Sequence, residues 1–353
     1  MRRKTCVIKV GNINIGGKNP IAIQGMIKTP TKKKAAALKE IKSLFSLGAD
    51  IVRLAVKDAE DAQAIKFIKK SIKSALVADI HFDYRLALAC IKNGIDKIRL
   101  NPGNIFQEAQ VRQIVELAKK TKVPIRIGVN SGSLRESKTI KEKAAFMVKS
   151  AAQYIKLLEK NNFKDIVVSL KAEDVNTTIE AYRKLSDLCD YPMHLGVTAT
   201  GSMVSAVVKS SIGIGVLLKQ GIGDTIRVSL TSSSCDEIDV AKKILSSLDI
   251  RHFGPEVISC PTCGRCSVNL KSIVEDLEAS LARKKGRFLK PGMKIAVMGC
   301  EVNGPGEARS ADLGVAFGNN NAILFKESKL IKRVKKDNVL RILTKELEKY
   351  YET

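Results

Sequence analysis

The sequence predicts an α/β fold in two parts, an N-terminal (β/α)8 TIM-type barrel over residues 1–250 and a smaller C-terminal α+β domain over 251–353. Three observations carry this. Up to Ile250, short apolar runs alternate with helical patterns eight times. Beyond Arg251 the alternation gives way to strands grouped around two helices. That second stretch also holds CPTCGRC at Cys260 to Cys266, with a further thiol at Cys300. A chain of 353 residues is long enough for one large domain and one smaller.

The first part reads as strands at Ile21–Gln24, Ile51–Leu54, Leu76–Ile80, Lys97–Leu100, Ile125–Val129, Ile166–Leu170, Met193–Val197 and Thr225–Leu230. Each is a nearly continuous apolar run, as expected of a strand covered on both faces. Between them fall helical patterns such as Lys33–Leu47, Ala59–Lys73, Phe106–Lys120, Ile140–Lys160 and Asp236–Leu248. Alternating strand and helix calls for a parallel sheet, and eight units in about 240 residues match a closed barrel. An open doubly wound sheet is the alternative, but no GxGxxG follows the first strand.

The second part reads as strand Glu256–Cys260, helix Leu270–Lys284, strands Lys294–Met298, Leu313–Phe317, Ala322–Phe325 and Leu330–Arg333, and helix Asn338–Tyr350. Gly318-Asn319-Asn320-Asn321 supplies a tight hairpin turn between two of these strands.

Composition narrows the function classes. Hydrophobic residues make up 44% and tryptophan is absent, and no stretch approaches the roughly 18 apolar residues that a membrane span requires. No membrane role is expected. Met1 to Thr5 is basic, but Lys9 and Gly11 interrupt any hydrophobic run, so a cytoplasmic protein is expected. The charge is +25, from 61 basic and 36 acidic residues, which raises nucleic acid as a partner. An aromatic content of 5% does not support base stacking, and lysine runs such as Lys332 to Lys336 read as solvated faces, so no nucleic acid is expected. A basic surface also attracts acidic proteins and anionic metabolites.

The barrel strands carry a strong bias. Active sites of barrels lie at the C-terminal ends of the strands. There stand Arg53, Arg99 with Asn101, Arg126 with Asn130, Lys171, and Arg227 with Ser229. A desolvated charge costs several kcal/mol without a partner, so five cations at one mouth need an anion, and a diphosphate suits them. Arginine also orients phosphate oxygens by bidentate hydrogen bonding. The plainer reading is that some of these side chains make salt bridges inside the barrel. Asp79 and His81 end the third strand and His194 begins the seventh, adding groups for hydrogen bonding or proton transfer. An isolated histidine is more often a packed one.

Two thiols separated by two residues can grip one metal centre from a single turn, and a distant third can close the coordination. Cys260, Cys263 and Cys300 fit that pattern, and a reducing cytosol argues against disulfides. Zinc would also accept such a set with a histidine, although His252 lies outside the motif. Cys266 extends the run to CxxCxxC, but no fourth cysteine follows at ferredoxin spacing. NGPGE at Asn303 to Glu307 reads as a rigid loop that brings backbone close to an inorganic body and offers Glu307 as an exchangeable oxygen ligand. Cys6, Cys90, Cys189 and Cys235 are scattered singly and read as small buried apolar residues.

Taken together, the chain resembles the GcpE (IspG) family of 4-hydroxy-3-methylbut-2-en-1-yl diphosphate synthases along nearly its whole length. The resemblance rests on VADIHFDYRLAL at Val77 to Leu88, KIRLNPGN at Lys97 to Asn104, IRIGVNSGSL at Ile125 to Leu134, HLGVT at His194 to Thr198, GIGDTIRVSL at Gly221 to Leu230, CPTCGR and NGPGE. It implies reductive ring opening of 2-C-methyl-D-erythritol 2,4-cyclodiphosphate in the methylerythritol phosphate pathway, with loss of water and electrons passed singly through a [4Fe–4S] cluster. It implies Cys260, Cys263, Cys300 and Glu307 as cluster ligands, Glu307 yielding its iron to the substrate; Asp79 and His81, from their place at the end of the third strand, are the further candidate catalytic groups. Arg53, Arg99, Arg126, Asn130, Lys171, Arg227 and Ser229 would hold the diphosphate. It also implies ferredoxin or flavodoxin as electron donor, and a homodimer in which the cluster module of one subunit covers the barrel mouth of the other. Three departures stand out: Ala199 where the family usually has glutamate, Gly25 where it usually has serine, and the additional thiol of Cys266. Two other classes remain for test: an RNA-binding metalloprotein, and a barrel enzyme for another phosphorylated substrate with a structural metal site.

Overall fold

The computed structural model describes residues 2–133, 139–198, 201–283, 290 and 292–350. The chain divides into two compact units, Met1–Leu248 and Asp249–Thr353.

The first unit opens with an antiparallel hairpin that the sequence did not lead us to expect, β1 (Ile8–Val10) and β2 (Ile13–Ile15). Eight parallel strands follow: β3 (Ala22–Met26), β4 (Ile51–Val56), β5 (Ala75–Ile80), β6 (Lys97–Leu100), β7 (Ile125–Asn130), β8 (Ile166–Lys171), β9 (His194–Leu195) and β10 (Thr225–Ile226). Their order is β8-β7-β6-β5-β4-β3-β10-β9. A single parallel bridge, Val168 to Met193, closes β9 back onto β8. The expected barrel is therefore present.

Its helices are α1 (Lys34–Ser46), α2 (Ala59–Ser71), α3 (Tyr84–Lys92), α4 (Glu108–Thr121), α5 (Ile140–Lys160), α6 (Val175–Ser186), α7 (Met203–Lys219) and α8 (Ser234–Ser247). Local chemistry fixes several starts. Asp58 accepts from the Asp61 N–H and Asp174 from the Thr177 N–H, while Thr139 with Glu142 and Ser233 with Asp236 form capping boxes. Each such cap contributes about 1 kcal/mol. The hairpin plugs the N-terminal end of the barrel: Ile8, Val10 and Ile15 pack against Ala22, Ile51, Ala75, Val77 and Val167.

Two strands are shorter than the sequence suggests. The runs Met193–Val197 and Thr225–Leu230 contract to two residues each. A Cβ on Gly196 would lie 2.6 Å from both the Arg227 carbonyl and the Lys171 Nζ, so polar groups fill the space a longer ladder would need. The chain leaves β10 after the Arg227 N–H has bonded Leu195 O, and the Thr198 N–H bonds Ala172 O instead.

The second unit is a five-stranded sheet of β11 (Glu256–Ser259), β12 (Lys294–Met298), β13 (Leu313–Phe317), β14 (Asn321–Lys326) and β15 (Lys329–Lys335), in that order. The first three are parallel and the last two antiparallel. Helices α9 (Leu270–Arg283) and α11 (Val339–Glu348) contribute Leu270, Leu277, Leu343 and Leu347 to a core with Val297, Val315, Phe317 and Leu324. Burying a leucine of this kind stabilises by about 1.5–3 kcal/mol. A short helix, α10 (Gly304–Arg309), packs with Ala296, Met298, Ala316 and Phe325. The Gly318 N–H bonds Asn321 O at 2.7 Å, which closes the turn between β13 and β14.

Candidate functional site

The barrel interior gathers the cations. Because side chains alternate along a strand, Lys97 and Arg99 share a face of β6, and the register sets Asp79, Arg99 and Arg126 side by side on β5, β6 and β7. Asp79 is the hub. It is 1% exposed and lies 3.3 Å from the Arg53 Nη2 and 3.3 Å from the Arg99 Nη1, with His81 Nε2 at 3.7 Å. Burial alone would raise its carboxyl, but Arg53 and Arg99 more than offset that and hold it at about 2. It is thus an ionised acceptor and no proton donor near neutral pH.

The other cations are only partly matched. Arg227 grips Glu237 through Nη2, 3.1 and 3.2 Å from its two oxygens, and donates to Ser229 Oγ at 2.5 Å. Arg99 also donates to Gly128 O at 2.8 Å. Arg126, 1% exposed, has no partner for Nε or Nη1 among the described residues, and the same holds for Nε of Arg53 and of Arg227. Burial first, then the fields of Arg126, Arg227, Arg53 and Arg99, push Lys171 well below its ordinary value. The plainer expectation of internal salt bridges thus accounts for some guanidinium contacts, but positive charge exceeds the two carboxylates that meet it. Asn130 pairs in register with Lys171 and stands beside it on β7.

His194 is fully buried, with Nε2 3.3 Å from Lys171 Nζ and Nδ1 2.7 Å from Thr225 Oγ1. Burial and the surrounding cations keep it neutral. With Lys171 donating to Nε2, Nδ1 carries the proton and donates to Thr225. His81 is 43% exposed, and burial followed by the Arg99 and Arg53 fields outweighs the pull of Asp79, so its pKa is lowered.

Three residues of this interior escaped the sequence reading. Lys97 is 0% exposed, its Nζ has no partner among the described residues, and burial together with Arg126 and Arg53 lowers it to about 7. Gln24 is 1% exposed, with no partner for either amide atom among the described residues. Glu237, on α8, is the Arg227 counter-charge. Lys97 was findable, since it stands two residues before Arg99 on the same strand face; nothing in the sequence singles out Glu237. Gly25 faces away from the interior, where a Cβ would meet Leu44 and Ile238 at 3.1 and 3.2 Å, so its departure from the family pattern leaves the cation cluster untouched. Ala199 lies outside the described residues.

In the second unit, Cys260 follows β11 and Cys300 follows β12, the parallel neighbour of β11. The Gly299 N–H lies 3.4 Å from Cys260 Sγ. The N–H groups of Val302 and Asn303 favour the Cys300 thiolate and lower its pKa. Thr262, a β-branched residue between Cys260 and Cys263, has φ of +64°, a conformation costing about 1–3 kcal/mol. Among the described residues no three Cys, His, Asp or Glu side chains converge as a ready-made metal cage. The donors nevertheless suit a soft metal body: Cys260, Cys263 and Cys300 on two adjacent loops, one of them poised as thiolate. NGPGE is not the loop expected from its glycines. Asn303 precedes α10, Pro305 sits in its first turn, and Glu307 is exposed on that helix. Cys266 packs beside Leu270, and a Cβ on Gly299 would come within 2.4 Å of its Sγ. Of the scattered thiols, Cys90 is buried as expected and Cys189 half-buried, but Cys6 and Cys235 are exposed, on the edge of the N-terminal segment and in the first turn of α8.

The chain matches the GcpE TIM-barrel domain over residues 5–242 and the GcpE protein C-terminal domain over residues 256–349. It is 52% identical over 350 residues to a protein of Fusobacterium nucleatum named 4-hydroxy-3-methylbut-2-en-1-yl diphosphate synthase (flavodoxin), covering 98% of this chain and 97% of that one. A protein of the same name from Ruminiclostridium cellulolyticum is 51% identical, covering 98% of each chain. Among solved structures, dihydropteroate synthases of Coxiella burnetii and Yersinia pestis align at TM-scores of 0.52, with 16% and 12% identity. Each alignment covers 69% of this chain, and 99% and 98% of the respective relatives. At such identities the likeness is one of fold alone.

Proposed function

The chain belongs to the GcpE family, and we propose that its barrel seats the diphosphate of a cyclic substrate while its cysteine loops hold the group that delivers electrons. Its activity is that of 4-hydroxy-3-methylbut-2-en-1-yl diphosphate synthase, an iron–sulfur oxidoreductase of isoprenoid biosynthesis. It opens the ring of 2-C-methyl-D-erythritol 2,4-cyclodiphosphate, taking up two electrons and two protons and releasing one water, to give (E)-4-hydroxy-3-methylbut-2-enyl diphosphate.

The observation that carries the site assignment is the excess of buried positive charge around Asp79. Arg53, Arg126 and Arg227 have N–H donors without partners among the described residues, Arg99 and Lys171 stand beside them, and Asn130 and Ser229 add neutral polar groups. A diphosphate offers the acceptor oxygens and negative charge that this set lacks. Asp79 keeps the guanidiniums of Arg53 and Arg99 aimed into the cluster. His81 is neutral near pH 7 until an anion arrives beside it; the anion raises its pKa, and the protonated ring can then give a proton to the departing oxygen.

Cys260, Cys263 and Cys300 would be the thiolate ligands of a [4Fe–4S] cluster and Glu307 its exchangeable oxygen ligand. Bound there, the cluster supplies electrons one at a time. Flavodoxin, the carrier in the relatives' names, is the proposed donor, ahead of ferredoxin. We place the enzyme in the cytoplasm as a homodimer.

The test is electron paramagnetic resonance of the anaerobically reconstituted, reduced protein with and without the cyclic diphosphate. A cluster signal that changes on adding substrate is expected. A signal indifferent to substrate would overturn reduction of this substrate at the cluster, and zinc in place of iron after anaerobic purification would overturn the cluster.

A further inference from the structure

The C-terminal sheet ends on β15, where Lys329, Lys332, Arg333 and Lys335 fall within seven residues and Lys336 follows directly. No acidic residue interrupts them before Asp337. Lysines on an edge strand commonly serve only to stop strands of other molecules from pairing there. Two features go beyond that. Leu330 and Ile331 are 55% and 45% exposed on the same strand, which a purely protective edge would avoid. Lys336, directly after the strand, also ties it to the cysteine loops. Lys336 Nζ donates to Ser267 O at 3.1 Å; the Ser267 N–H donates to Gly299 O at 3.0 Å and its Oγ to Gly318 O at 3.0 Å. Ser267 follows Cys266, and Gly299 precedes Cys300. Arg333 lines a cavity with Glu301, Pro305 and Gly318, beside the same loops.

We propose that this cationic edge strand, with Leu330 and Ile331 at its centre, is the docking surface for an acidic one-electron carrier protein. The assignment rests on the reading of flavodoxin as donor. A charged strand edge with a few exposed apolar side chains suits a brief encounter that is steered by charge and released quickly. At each encounter the carrier is oxidised by one electron and the cluster reduced by one, and two encounters supply the pair that one turnover consumes. Docking here brings the carrier to the strand followed directly by Lys336, which is hydrogen-bonded to Ser267 in the Cys266 loop, itself bonded to Gly299 before Cys300.

The test is steady-state turnover of the reconstituted holoenzyme, driven by reduced flavodoxin and, separately, by the methyl viologen radical. In Lys329→Glu/Lys332→Glu/Lys335→Glu the KM for flavodoxin should rise about tenfold or more and lose its dependence on ionic strength. Turnover with methyl viologen should hold, and the matching lysine-to-arginine triple should keep the wild-type KM. An unchanged flavodoxin KM would overturn the surface and leave the edge lysines as guards against strand pairing. A wild-type enzyme that accepts electrons from viologen but none from flavodoxin would overturn the donor reading and this surface with it. If the reversal impairs viologen-driven turnover as well, Lys332→Gln/Lys335→Gln decides in the same assay: a raised flavodoxin KM supports the surface and an unchanged one overturns it.

Discussion

Lys97 begins β6 with no partner for its amine among the described residues, and burial lowers its pKa to about 7. A lysine whose folded pKa lies below its unfolded value binds fewer protons when folded, so stability rises with pH between about 7 and about 10.5. Its share is up to about 1.4 kcal/mol per pH unit across that window. Lys97→Met should flatten that part of the slope, read as the difference between the two proteins' melting curves from pH 7 to 9.5. Asp79 gives the same direction of slope in an acid window, because its folded pKa also lies below the unfolded one. Its folded pKa of about 2 is depressed, so its contribution is present above the ordinary carboxylate value and is lost as pH falls through about 2. Asp79→Asn leaves Arg53 and Arg99 without their counter-charge and should cost about 3–5 kcal/mol in urea unfolding at pH 7. Added inorganic diphosphate should restore part of the loss. The positions of Arg53, Arg99, Arg126, Lys171 and Arg227 were legible because each interrupts or ends an apolar run. Their pairing was not, since Glu237 reaches Arg227 from a helix whose sequence looks like any solvated surface.

Glycine decides how closely α10 can lie on its sheet. A Cβ on Gly314 would come within 2.1 Å of the Ala308 carbonyl, a backbone atom that cannot swing aside. Gly314→Ala should therefore push α10 off β13 and displace Glu307 with it, lowering the iron retained after reconstitution while thermal unfolding of the barrel is unchanged. Gly128→Ala acts likewise on β7, where the new Cβ would meet Arg99 Nε at 2.2 Å. Arg99 is held there by Asp79 and the Gly128 carbonyl, so the KM for the cyclic diphosphate should rise about tenfold or more, measured by steady-state kinetics. Helix α10 was hidden in the sequence because two glycines and a proline in six residues look like a loop. Proline is tolerated in a first turn, where its missing N–H is not required. Strands β9 and β10 were overestimated for the converse reason: apolar composition continues past Leu195 and Ile226, but the ladder ends where Lys171 and Arg227 fill the space beside Gly196.

The two units suggest a test by division. A fragment ending at Leu248 should unfold cooperatively and gain several degrees in Tm with excess inorganic diphosphate, whereas Arg126→Met in that fragment should lose most of the gain. The eightfold alternation made the barrel legible, because strand and helix periods differ and the change of rhythm recurs. The β1–β2 hairpin was illegible, as three-residue strands are too short to show a period. That hairpin has a consequence for how the molecule is made. The residues that lead into it leave the ribosome long before their partners: Arg2 pairs with Asp224 at 2.6 Å, Arg3 donates to Tyr191 O at 2.7 Å, and the Cys6 N–H bonds Asp190 O at 2.8 Å. Made before most of the barrel, this segment must wait for Asp190, Tyr191 and Asp224, so its seating and the closure of the ring belong to one late event in translation.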